Sequence, residues 1–248
     1  MSTVLKRIHY PEDDGLPMSD NTWQFNMIVL LHGGLDAIFR DREDVFVAGN
    51  HLIYAVKGRN DIRQAPDVYV AFGAPRLPRG SYKVWEENGI FPQVVFEVWS
   101  PNNRTAQMDD KRDFYEKYGA EEYYVVYPDF PMHVDIWRRE ADKLLRLTDT
   151  TGYVSPRLGI RFEIDGGYLT VYGPDNRPFL APADLVAERD AAERAVEEER
   201  QRVEEERVRV EEARRREAGE RQRAAEERQR AARLAAKLRE LGVDPDAV

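Results

Sequence analysis

From Glu188 to Gly242 the chain contains no aromatic residue and no proline, and Glu, Arg and Ala make up most of it. Such a stretch lacks the side chains to build a core and the breakers to stop a helix. It reads as a single charged helix of roughly 55 residues, about 80 Å long if unbroken. Asp184 is the expected N-cap and Gly242 the expected stop. This constraint divides the chain into a folded region, residues 1–182, a helical segment, 183–242, and a short flexible tail, 243–248.

With heptad position a at Val196, one seam takes in Val203, Val210, Ala224, Ala231 and Leu238, interrupted by Glu217. The d positions mix Leu185, Ala192, Leu234 and Leu241 with Glu199, Glu206, Glu220 and Glu227. A half-polar seam supports a weak coiled coil, best at its C-terminal end. Two readings stay open. One is a homodimer or partner-helix contact through residues 185–241; the other is a solitary rod held by i,i+4 pairs such as Glu198/Arg202 and Glu205/Arg209.

Composition narrows the rest. There is no cysteine, which excludes disulfides and thiolate metal sites. No apolar run approaches the roughly 18 residues of a membrane span, since "FNMIVLL" ends at His32 and two glycines. No secretory pattern opens the chain. The expectation is a soluble, cytoplasmic protein with no membrane partner. A net charge of −9 argues against a protein that coats nucleic acid over its whole surface, while leaving room for a local basic groove.

The first 182 residues read as one α/β domain. "NTWQFNMIVLLHGGLDAIF" spaces Trp23, Met27, Leu30, Leu31, Leu35 and Ile38 as a helix. "DVFVAGNHLIYAVKG" reads as two short strands around a turn at Gly49 and Asn50. Strands follow at "DVYVAFG" and "QVVFEVWS", a helix from Thr105 to Tyr118, then strands at "EYYVVYP", "HVDIWRRE", "KLLRLTDT", "RFEID" and "YLTVYG".

Within "QVVFEVWS" sits an acid, Glu97, in a run that is otherwise apolar. A buried carboxylate needs a partner or a cation. If the two strands flanking residues 73–92 pair antiparallel with a register centred near Ser81 and Tyr82, Asp67 stands opposite Glu97. Opposed residues have Cβ atoms about 4.5–5.5 Å apart, and two carboxylates at that separation repel unless a cation or a shared proton lies between them. Mg²⁺, or Mn²⁺ in its place, suits a set made of Asp67, Glu97 and the main-chain carbonyl of Val98. Zinc is disfavoured, because His9, His32, His51 and His133 show no short paired spacing.

Lys111 falls inside the apolar stripe of the Thr105–Tyr118 helix, with Met108, Phe114, Tyr115 and Tyr118. From there its amine can reach Glu97. Two acids, a cation and an ammonium suit metal-assisted phosphoryl chemistry, with Asp67, Glu97 and Lys111 as the catalytic set. Each residue also has a structural reading: Asp67 after Pro66 as a turn residue, Lys111 as a snorkelling side chain, and Glu97 with Lys111 as an ion pair without metal. Glycoside hydrolysis by paired carboxylates accommodates the lysine less well.

The stretches "PDVYVAF", "WEENGIFPQVVFEVWSPNNR" and "DDKRDFYEKYGAEEYYVVYPD" together resemble the Uma-two family of restriction-endonuclease-like proteins, over about residues 15 to 175. The resemblance implies an α/β restriction-endonuclease-like core with a mixed, largely antiparallel sheet flanked by helices, to which the long charged C-terminal helix is appended. It also implies Mg²⁺ dependence and phosphodiester hydrolysis. Asp67 matches the Asp of the family's "PD" and Glu97 the Glu of its "EV-SP" strand. In the wider nuclease fold the lysine lies two residues after that acid, where this chain has Trp99; Lys111 matches the helix lysine of the family. Gln107 stands where relatives often carry an acid, and Gln24 and Asn26 leave the first helix without a glutamate for the site.

DNA is the expected partner, and Arg76, Arg79 and Lys83 in the loop between the acidic strands are the candidate phosphate contacts. The competing reading is a catalytically degenerate nuclease fold that oligomerises or recruits partners through its C-terminal helix.

Overall fold

The computed structural model describes residues 8–13, 15, 18–150 and 152–240. The chain divides after Asp184 into two units. The first opens with helix α1 (Thr22–Ile38), followed by β1 (Val45–Ala48), β2 (Ile53–Tyr54), β3 (Arg63–Gln64), β4 (Val68–Phe72), β5 (Tyr82–Lys83) and β6 (Val94–Val98). Helix α2 (Thr105–Tyr118) leads to β7 (Glu122–Tyr127), β8 (His133–Glu140), β9 (Lys143–Arg146), β10 (Arg161–Asp165) and β11 (Tyr168–Tyr172). Helix α3 (Pro182–Glu240) closes the described chain.

A six-stranded sheet in the order β1-β4-β6-β7-β8-β9 forms the frame. Only β6 and β7 run parallel, and α2 is the crossover between them. The remaining neighbours are antiparallel, so the mixed, largely antiparallel core expected from the sequence is the one found.

Strand alternation assigns the two faces. Val68, Val70, Val94, Phe96, Val98, Tyr124 and Val126 face one side, where Met27, Ile28, Leu31 and Leu35 of α1 and the β10-β11 hairpin cover them. Tyr69, Ala71, Val95, Tyr123 and Val125 face the other, against Met108 and Tyr115 of α2. Helix α2 stops at Gly119, whose φ of 113° lies in the region only glycine enters freely.

Three sequence expectations change. β1 and β2 are not a hairpin: β1 joins the large sheet, while β2 sits in a three-stranded sheet of order β3-β2-β5. The α1 stripe is rotated from the expected one, so that Trp23 is 62% exposed and Gln24 faces inward. Asp184 lies within the first turn of α3, which starts with Pro182, a residue suited to that position because its missing N–H would be unpaired there anyway. Gly242 lies outside the described residues.

Helix α3 is continuous and buries none of its described side chains. Its intrahelical pairs include Glu199/Arg202, Glu211/Arg215 and Glu217/Arg221. Among the described residues no helix is long and apolar enough to cross a membrane.

Candidate active site

Glu97 is 1% exposed, and α2 supplies its partners. Lys111 Nζ lies 2.7 Å from Oε2, and the Tyr115 hydroxyl donates to Oε1 at 2.8 Å. Lys111 and Tyr115 are four residues apart, hence on one face of the helix. Burial and the adjacent Glu97 charge push the Tyr115 hydroxyl well above its ordinary value, so it remains a proton donor.

The β4/β6 register pairs Val68 with Phe96 and Tyr69 with Val95, and carried one residue further it sets Asp67 opposite Glu97. Asp67 Oδ2 accepts a hydrogen bond from the Val98 N–H at 2.6 Å. Burial, and next the Glu97 carboxylate, push the Asp67 carboxyl up to about 7, against the opposing pull of Lys111 and the Val98 N–H. Near neutrality this pair holds a proton that a divalent cation would replace. Two carboxylates and a main-chain carbonyl form an all-oxygen set that fits Mg²⁺ or Mn²⁺. Among the described residues no three His, Cys, Asp or Glu side chains cluster, so any such site rests on two acids plus backbone oxygen.

The Val98 carbonyl is itself positioned. Gln24, 6% exposed on α1, donates to it from Nε2 at 3.0 Å, and the amide is held in that orientation by the Asp20 N–H on its Oε1 at 2.8 Å. A carbonyl oxygen has two lone pairs, and Gln24 takes one. On the other side of the site, the turn at Gly49 and Asn50 packs against the backbone of Asp67. A Cβ at Gly49 would lie 2.3 Å from the Asp67 carbonyl oxygen, and the Asn50 N–H donates to the Pro66 carbonyl at 2.9 Å.

Asp67, Glu97, Val98 and Lys111 therefore share one end of the β4-β6 pair. Tyr115, Gln24 and Gly49 join them, none having been expected from the sequence to hold the site. Tyr115 was legible only as part of an apolar stripe, although its four-residue spacing from Lys111 was visible. Gln107 is elsewhere: it is exposed and its side chain accepts from the Arg104 N–H at 3.1 Å, capping α2.

Glu122 shows a buried carboxylate satisfied for structure. It is 2% exposed and accepts from Tyr124, Ser155 and the Arg157 N–H at 2.6, 2.5 and 3.0 Å. No lysine takes part in those bonds.

The basic loop lies apart from the acids. Arg76 pairs with Asp36 at 2.6 Å and reaches the Phe39 carbonyl, beside the Phe72 end of β4 rather than the Asp67 end. Arg79 pairs with Glu87 at 2.6 Å and lies 3.9 Å over the Phe46 ring. Lys83 is 3.4 Å from Glu86. All three cations thus have carboxylate partners within the chain, and Arg76 lies at the opposite end of β4 from Asp67.

A family model described as "Putative restriction endonuclease", that of Uma2, matches residues 7–171. The chain belongs to the Uma2 family. The Uma2 match takes in Asp67, Glu97, Val98 and Lys111 and ends within β11, short of α3. Among solved structures, a chain from Anabaena variabilis described as "a putative nuclease belonging to DUF820" is similar, with 13% identity and a TM-score of 0.41 over 55% of this chain and 73% of that one. No curated protein matches.

Proposed function

We propose that this Uma2 chain is a Mg²⁺-dependent endonuclease, with Mn²⁺ as a substitute, that hydrolyses DNA phosphodiester bonds. Asp67, Glu97 and the Val98 carbonyl would hold the cation, and Lys111 would act on the phosphate. The observation that carries the reading is the enclosed Asp67–Glu97 pair, with Asp67 pushed up to about 7 and Lys111 2.7 Å from Glu97. Glu122, by contrast, is a buried acid held by neutral donors, from Tyr124, Ser155 and the Arg157 N–H.

A bound divalent cation supplies Lewis acidity toward water and a phosphoryl oxygen. The chain's own groups do the positioning. Tyr115 and Lys111 fix the Glu97 carboxylate from opposite oxygens, and the Val98 N–H holds Asp67. Gln24 aims the Val98 carbonyl. The Lys111 ammonium offsets negative charge as it grows on the phosphoryl oxygens. Arg76 and Lys83 keep partial exposure and are assigned to phosphates away from the cleavage centre; Arg79 is left out because Glu87 and the Phe46 ring occupy it.

Cleavage of supercoiled plasmid tests the reading. Wild type nicks or cuts DNA with Mg²⁺ or Mn²⁺ and not with chelator, and Glu97→Gln or Lys111→Ala abolishes this while circular dichroism stays native. A wild type that leaves the plasmid intact with both metals contradicts it.

The second reading, an interaction protein acting through α3, is favoured by one observation. Val196, Val203, Val210 and Leu234 are each about half exposed along that helix. A pairing helix would cover them.

A further inference from the structure

On the α2 side of the sheet, next to the acids, lies a cavity of about 290 Å³. Its walls are aromatic: Trp99, Tyr123, Tyr127 and Trp137. Trp99 stands two residues after Glu97 on the same face of β6. Tyr123 packs on Tyr115, the residue that holds Glu97, with ring centroids 5.6 Å apart. The cavity and the acidic pair therefore share a wall.

The rings already stack in series. Trp99 and Tyr127 lie 5.3 Å apart at 28°, and Tyr127 and His133 4.0 Å apart at 9°. Such a ladder offers one more planar group the same contact. The cavity lies near the lower end of the volume range of ligand pockets, which suits a single small ring system. Charged groups lie in the same wall: Arg146 pairs with Asp135 and approaches the Trp137 ring, and Arg112 pairs with Asp109. They provide donors and acceptors for a polar ring edge.

Tyr123 is 1% exposed, and its hydroxyl, buried from the cavity as from solvent, has no hydrogen-bond partner among the described residues, so the wall it gives the cavity is its ring.

We infer that this cavity receives a nucleobase displaced from its stack, held against the Trp99 and Trp137 rings with its polar edge toward the Arg112–Asp109 and Arg146–Asp135 pairs. The inference rests on the nuclease reading, and it adds a requirement for an unstacked base beside the scissile phosphate. It also gives position 99 a purpose: an aromatic wall can stand there because the lysine acts from α2.

The test is binding by the full chain in chelator, where no cleavage interferes. Labelled single-stranded oligothymidylate is compared by fluorescence anisotropy with an abasic oligomer of equal length. Wild type should bind the base-bearing strand at least tenfold more tightly, the order that one stacked base confers. Trp137→Leu and Trp99→Leu should lose most of that preference with abasic binding unchanged, each variant being checked for a native melting transition. Equal binding of the two strands by wild type overturns the inference, as does an undiminished preference in both variants. The outcome is separable from the nuclease reading: base-dependent binding without plasmid cleavage retains the pocket and removes the enzyme, and cleavage without base preference does the reverse.

Discussion

At Asp67 the fold holds an acid whose ionisation it opposes. Its carboxyl is raised to about 7, so the stability it contributes is full below its unfolded value, near 4, and is lost as pH rises through 7. Metal-free protein should therefore melt progressively lower between pH 4 and 8. Asp67→Asn, which keeps an oxygen for the Val98 N–H, should flatten that profile and be more stable than wild type at pH 8 by on the order of 2 kcal/mol. Thermal melts in chelator across that range check it; a wild-type profile no steeper than the variant's would contradict it. Tyr115→Phe has the opposite sign. It leaves one oxygen of a buried carboxylate short of a donor, and urea denaturation should show a loss of about 2 kcal/mol. Gly49→Ala places a methyl against the Asp67 carbonyl, so we expect a loss of about 1–3 kcal/mol together with weakened metal binding, read by denaturation and calorimetry.

Elements differ in how much of them the sequence discloses. Helix α2 and strands β8 and β10 run over the residues their periodicity predicts, because each has one buried face and clear punctuation, Gly119 in the case of α2. The β4/β6 register agrees with a loop centred near Ser81 and Tyr82, whereas alternation fixes nothing here because both strands are apolar on both faces. The α1 stripe was misread because nearly all of "FNMIVLL" is apolar, so periodicity does not favour one phase, and the polar Gln24 that faces inward is explained only by a carbonyl 74 residues away. β1 and β2 look like a hairpin locally, but Gly49 and Asn50 instead carry the chain across the backbone of Asp67 and on to another sheet. The carboxylate partners of Arg76, Arg79 and Lys83 were not legible, because charge in a sequence says nothing of which carboxylate will meet it. Helix α3 buries no described side chain, so truncation after Pro182 should leave the first unit's melting temperature within about 2 °C. If α3 pairs, light scattering will show the full chain as a dimer and the truncated one as a monomer; an unchanged mass removes the tail as the pairing element.

For the molecule as a whole, the Uma2 match covers the unit that carries the acids and leaves α3 outside it, so the proposed catalysis and any pairing through α3 would belong to different parts of one chain. On the proposed function Glu97 is buried for a cation and not only for Lys111. Calorimetric titration of Mn²⁺ into the full chain at pH 8 decides this. We expect saturable binding near one ion per chain in wild type, lost in Glu97→Gln and strongly weakened in Asp67→Asn. Absence of saturable binding in folded wild type would contradict it, and would leave Glu97 and Lys111 as a structural ion pair.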